Sequence, residues 1–268
     1  MKQPGRRALY VFGWFVGLCL GLPIAVILVR SILDGSLATA ATNPVVLDAL
    51  TLSLETTAIS LLICVVAGLP LGYLLARRRF RGQSLLEVVV DLPIVLPPSV
   101  AGLALLLTLG REGLLGKPLS AFGIEIPFTT AAVVIAQAFV SAPFFIRSAR
   151  VGFAGVDRHL EDAARVDGAT ESQLFRSITI PLASSALAAG LVMCWARALG
   201  EFGATIMFAG NVQGKTQTLP LVVYSLFEGG GLDSSVAAAS ILVLAAFGVL
   251  FAVRVLRWGS VLDLRGLG

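Results

Sequence analysis

Between two strongly apolar stretches lies the segment Glu161-Asp162-Ala163-Ala164-Arg165-Val166-Asp167-Gly168-Ala169, followed by Phe175 and then Ile178-Thr179-Ile180-Pro181. Its spacing predicts a helix–glycine–helix unit. Asp157 is placed to cap a short first helix, because its carboxylate accepts the orphan amides of the first turn. Glu161 and Asp162 fall in the early turns, where acids suit the helix dipole. Glu161 and Arg165 stand four apart in the favourable order. Gly168 is a helix-stopping glycine, and Thr170 with Gln173 forms a capping-box pair that opens a second helix. Leu174, Phe175 and Ile178 recur there at helical spacing, and Pro181 is expected to break that helix. Leu160, Ala163 and Ala164 are left available for contact, and small side chains on such a helix allow close docking into a groove. An amphipathic connector lying on a membrane surface has the same composition, so the residues alone leave both readings open.

What surrounds this segment decides the class. The 268-residue chain is 57% hydrophobic and 13% charged, against about 25% charged in a soluble domain. Six stretches reach the roughly 20 apolar residues that a spanning helix needs: 10–29, 56–76, 88–109, 129–146, 182–208 and 236–256. The reading is an all-α, polytopic membrane protein with six transmembrane helices, one transmembrane domain over 1–268, and a cytoplasmic loop over 147–181. Of the 20 Lys and Arg, those flanking the termini, the 77–81 run and the 147–176 segment fall on one side. Only Arg30, Arg111, Lys117 and Lys215 fall on the other, and Arg197 lies within a span. By the positive-inside rule both termini are cytoplasmic and the segment at Glu161 faces the cytosol. The same placement explains the net charge of +4 without nucleic acid as a partner. The apolar run after Arg6-Arg7 exceeds the 7–15 residues of a signal-peptide core and is expected to stay as a first membrane helix. Cys19, Cys64 and Cys194 all fall in spans and read as small packing residues. The lone His159 builds no histidine-rich metal site.

Within the spans, Gly13, Gly17 and Gly21, and likewise Gly68 and Gly72, recur every fourth residue, which places small residues on one face for close helix approach. Span three opens Asp91-Leu92-Pro93-Ile94-Val95-Leu96-Pro97-Pro98. Its prolines remove amide donors and kink or break the helix, and broken helices often line a pathway. Pro93, Pro97 and Pro98 are therefore pathway candidates. Arg197 and Glu201 are one turn apart at membrane depth, where each ion is costly. They are candidates for a gate, or else for a structural ion pair. Gly210-Asn211-Val212-Gln213-Gly214-Lys215-Thr216 imitates a phosphate-binding loop but has three residues between its glycines where that motif needs four. No nucleophile elbow, paired His or Cys/His cluster appears, so no catalytic set or resident cofactor is expected.

Glu-x-Ala-Ala from Glu161, the glycine seven positions later and the Ile-x-Ile-Pro ending together resemble the cytoplasmic loop of ABC-importer permeases. This chain has Asp162 where many members have Ala, and Ile180 where many have Leu. The resemblance implies the type I ABC-importer permease fold and a docking loop, the coupling helix, with Glu161, Asp162, Ala163, Ala164 and Gly168 at the contact. It implies two separate ATPase subunits that bind the ATP and Mg, a homodimer of this chain in the cell membrane, and an extracytoplasmic oxyanion-binding protein. Ala196 to Thr205, Gly210-Asn211, Thr218-Leu219-Pro220 and the Leu92-to-Pro98 run are similar to molybdate and tungstate permeases. Sulfate permeases are close relatives that often carry Tyr where Phe202 stands. The expected function is import of molybdate or tungstate by a non-catalytic membrane subunit. The alternatives are a sulfate or thiosulfate permease and a stand-alone secondary transporter.

Overall fold

The computed structural model describes the backbone of residues 4–263 and the side chains of residues 9–251. Lys2, Arg6, Arg7, Arg254, Arg257 and Arg265, which enter the charge asymmetry, lie outside the described side chains. The helices in chain order are α1 (Pro4–Leu33), α2 (Ser36–Ala41), α3 (Pro44–Arg77), α4 (Gln83–Val95), α5 (Pro98–Leu109), α6 (Gly116–Ala121) and α7 (Thr130–Ala154). They continue as α8 (Arg158–Val166), α9 (Glu171–Leu174), α10 (Ile180–Leu199), α11 (Gly203–Phe208), α12 (Leu219–Glu228) and α13 (Leu232–Asp263), with a π-helical turn, Phe175–Thr179, joining α9 to α10. The chain forms two compact units, one drawn from Met1–Leu50 and Leu219–Gly268, the other from Thr51–Thr218.

In the first unit, α2, the start of α3, α12 and α13 share a core of Ala40, Val46, Ala49, Leu219, Val222, Ala237, Ala238 and Ile241. The described side chains of α1 are largely exposed, and nothing lies within 4 Å of where a Cβ on Gly13, Gly17 or Gly21 would stand. Among the described residues, the glycine spacing of the first span therefore meets no packing partner.

In the second unit, α7 is the central helix. Its Ala132, Val133, Ala136, Gln137, Ser141, Phe145, Ala149 and Phe153 are all buried. The glycine face of α3 does pack here: a Cβ on Gly72 would lie 2.7 Å from Ala149 Cβ, and one on Gly68 2.8 Å from the Phe145 ring. Only hydrogen fits between helices that close. Ser60 of α3 donates to the Val134 carbonyl (3.0 Å) and bonds the Gln137 amide oxygen (3.1 Å), so a polar contact backs the small-residue seam.

Among the described residues, five helices are long and apolar enough to cross a membrane, and α4 with α5 makes a sixth crossing if the bent pair is one span. Three expected boundaries change. The third span is no single kinked helix: α4 and α5 meet at 118°. At 1.5 Å per residue each half is only about 18–20 Å long, short of the roughly 30 Å hydrocarbon core. The reversal follows from Leu96 and Pro97, whose ψ angles are both 135°, outside the helical region. A residue preceding proline is driven out of the α region, and two such residues stand in a row. The fifth span ends at Leu199 rather than 208, because Gly200 and Glu201 leave the helix before α11. The loop expected over 147–181 is shorter, since α7 runs on to Ala154 and helix resumes at Glu171. Pro181 does not break the chain there. It lacks the amide that would close an α-turn, and the widened π-turn just before it absorbs the misfit.

Candidate functional site

The segment at Glu161 folds as its spacing predicts. Asp157 caps α8, accepting the His159 amide at 2.9 Å. Gly168 stands at φ 88°, a left-handed conformation that costs an L side chain about 1–2 kcal/mol. Thr170 and Gln173 form both arms of a capping box at the start of α9. Asp162, Ala163 and Gly168 are exposed and Ala164 half-buried, while Leu160 and Val166 expose apolar surface. This is a short, capped helix whose exposed side carries small, apolar and charged residues together.

The expected Glu161–Arg165 pair does not form. Arg165 turns to Asp162 (2.8 Å) and to Glu171 at the start of α9 (2.7 Å), and those two carboxylates, Glu171 first, hold its guanidinium further into the charged range. Glu161 points inward and is buried. One of its oxygens, Oε1, takes the Arg77 guanidinium at 2.8 Å and the Thr179 hydroxyl at 2.9 Å. The side chains of Arg77 and Glu161 are 8% and 5% exposed, and Arg77 also donates to the Val156 carbonyl at 3.1 Å. One carboxylate thus ties α8 to the end of α3 and to the π-turn that leads into α10. Tyr73 meets Phe153 and Phe175 edge-to-face, and the three ring centroids lie 5.0–5.9 Å apart, which adds apolar contact among α3, α7 and the π-turn. Arg77 and Thr179 were not singled out in the sequence. Arg77 is one arginine of a run, 84 positions from Glu161, and no local spacing marks it.

A second locus gathers the remaining candidates. Arg197, in the last turn of α10, pairs with Glu201 at 2.8 Å, the pairing that their spacing predicts. A cation there also faces the negative end of the helix dipole. Glu201 is 1% exposed and accepts the Ala204 amide at 2.8 Å through its other oxygen, which starts α11. Against α11 lies the start of α5. A Cβ on Gly203 would stand 2.7 Å from Pro98 Cβ, and one on Gly102 2.7 Å from the Ala204 carbonyl. Pro98 and the Arg197–Glu201 pair, about a hundred residues apart in sequence, therefore meet at one pair of helix breaks. Pro93 is buried within α4, and Pro97 forms the extended link. The Gly210–Thr216 loop folds as a turn closed by the Thr216 hydroxyl, which accepts the Val212 amide at 2.9 Å.

Known proteins are similar to this chain in sequence and in fold. Residues 68–258 match the family described as "Binding-protein-dependent transport system inner membrane component". The molybdenum transport system permease protein ModB of Mycobacterium tuberculosis is 43% identical over 212 residues, 79% of this chain and 80% of that protein. ModB of Escherichia coli K12 is 40% identical over 199 residues, 74% and 87% of the two chains. The probable transport system permease NifC of Clostridium pasteurianum is 40% identical over 204 residues, 76% and 71%. In fold, the chain is similar to a crystal structure of a bacterial ABC transporter involved in alginate import, with a TM-score of 0.73 at 17% identity, covering 93% of this chain and 94% of that one. It is also similar to the inward-facing MetNI methionine ABC transporter, with a TM-score of 0.63 at 19% identity, covering 80% and 95%. A multi-pass helical chain with a braced, capped helix between two spans, matched over most of its length by these permeases, belongs to the family of binding-protein-dependent transport system inner membrane components.

Proposed function

We propose that this chain is the membrane subunit of an ATP-driven importer that carries molybdate, or tungstate, into the cytoplasm. The observation that carries the coupling role is the Arg77–Glu161–Thr179 brace. A helix that transmits force must not swivel on its own loop, and α8 is joined at one buried atom to the membrane helices on either side of it. Its outward face, with Asp162, Ala163, Ala164 and Gly168, then docks against a separate ATPase subunit. In this reading Glu161 acts from behind that surface, as a positioning residue. Two copies of the chain form the pathway, and two ATPase subunits, which bind ATP and Mg, grip the paired α8 helices. Their closure tilts the helices and opens the pathway toward an extracytoplasmic oxyanion-binding protein. Both termini lie in the cytoplasm.

The molybdate assignment is supported by the 40–43% identity to molybdenum permeases over three quarters of the chain. Arg197, 29% exposed beside the buried Glu201, offers a guanidinium whose charge is largely balanced. Such a group orients a passing dianion without trapping it. Pro93, Pro97 and Pro98 line or frame that opening. The test is uptake of labelled molybdate into vesicles holding the reconstituted complex. Uptake should require ATP and the ATPase subunits, and unlabelled tungstate should compete far better than sulfate. Uptake by the chain alone, or stronger competition by sulfate, would overturn the assignment.

A further inference from the structure

At the α3–α4 turn, beside but distinct from the outward face of α8, a cavity of about 570 Å3 opens among Arg77, Arg78, Arg79, Arg150, Arg158 and Glu87. That volume falls in the range of small-molecule sites, roughly 300–1,000 Å3. Its charge is one-sided. Glu87 is matched by Arg150 at 3.0 Å, and Arg77 by Glu161. Among the described residues, Arg78, Arg79 and Arg158 form no ion pair. Arg77, with its side chain more than nine-tenths buried, keeps its Nε without a hydrogen-bond partner. The three arginines without an ion pair leave this wall with excess positive charge. Next to the cavity, α4 exposes Leu85, Val88 and Val89, and Phe80 lines the cavity itself with its ring partly exposed. The walls are the terminal turns of the membrane helices α3 and α7, which places the cavity at the membrane surface.

We propose that this cavity binds the phosphate headgroup of an anionic phospholipid. Guanidinium groups hold phosphate oxygens by charge-assisted, forked hydrogen bonds. Basic pockets at the cytoplasmic ends of membrane helices hold such headgroups. The exposed α4 side chains supply the apolar wall along which the acyl chains run, which a free anion does not need. A bound lipid steadies the end of α3, to which α8 is tied through Glu161.

The purified full chain, in detergent, is titrated with phosphatidylglycerol or phosphatidylcholine and read by native mass spectrometry. Phosphatidylglycerol should give a discrete adduct and phosphatidylcholine none. At roughly 1 kcal/mol per surface arginine, R79Q or R158Q alone should weaken the adduct about fivefold, and R78Q/R79Q/R158Q on the order of 100-fold. K215Q, a charge removed from a distant loop, should change nothing. The single variants decide the matter if the triple variant does not fold. Equal adducts with both lipids, or unchanged adducts in the single variants, overturn the proposal. Displacement of the lipid by equimolar inorganic phosphate or molybdate would reassign the cavity to a free oxyanion. Loss of the adduct when the ATPase subunit is bound would reassign it to a protein interface. Either result sinks the lipid.

Discussion

Removal of either partner of the Arg77–Glu161 pair is the sharpest perturbation this structure offers. In R77M, the Glu161 carboxylate keeps only the Thr179 hydroxyl at 2.9 Å. In E161M, Arg77 keeps only the Val156 carbonyl at 3.1 Å. Both side chains are more than nine-tenths buried, and an uncompensated buried charge costs about 3–5 kcal/mol. At 1.4 kcal/mol per factor of ten, the amides of α8 should exchange with deuterium about 100- to 4,000-fold faster in either single variant. R77M/E161M should behave differently. Replacing a buried ion pair with apolar side chains of similar volume is often neutral or better, so exchange should return to within about tenfold of the parent. The double-mutant cycle then gives a coupling energy of at least about 4–5 kcal/mol, above the usual range for contacting residues. The readout is hydrogen exchange of residues 158–166 in the detergent-solubilised chain, followed by ATPase stimulation in the complex. Exchange that rises less than threefold in the single variants, or that simply adds up in the double variant, would refute the claim that this pair holds α8.

Three further outcomes follow from the same geometry. Gly168→Val places a β-branched residue at φ 88° with open space around its Cβ, so the cost is backbone strain of about 1–3 kcal/mol. Insertion should hold with at most a small drop in melting temperature, while ATP-driven uptake falls far more, and normal uptake counts against the docking role. Gly203→Ala forces a methyl to 2.7 Å from Pro98 Cβ. Overpacking of this kind costs about 1–3 kcal/mol, and a lowered melting temperature with impaired uptake is expected, whereas Gly200→Ala, whose Cβ meets only its own helix at 3.6 Å, should be far milder. Glu201→Ala strips the Ala204 amide and Arg197 of their shared partner, and a loss of about 3 kcal/mol should appear as a lower melting temperature. Arg197→Ala should cost at least as much, because it leaves the 1% exposed Glu201 carboxylate without its counter-ion.

What the sequence determined by itself was most of what short spacing governs, the Glu161–Arg165 pair excepted. Apolar stretches of spanning length, the charge bias between loops, the Asp157 cap, the Thr170–Gln173 capping box, the left-handed Gly168 and the Arg197–Glu201 pair all depend on residues within one helical turn or on the composition of one segment. Those interactions form whatever the rest of the chain does. Tertiary structure alone decided which way Glu161 points, because its partners lie 84 and 18 positions away and a nearer cation, Arg165, finds other carboxylates. It also decided how far three prolines turn the chain. Proline forbids the straight helix, but the 118° reversal depends on α5 finding glycine-lined contact with α11. The same holds for Pro181, whose missing donor is absorbed by a π-turn once Thr179 is anchored to Glu161. Local sequence restricts backbone angles and pairs near neighbours, whereas the choice among the remaining conformations belongs to packing, where a buried ion accepts only the geometry that gives it a partner.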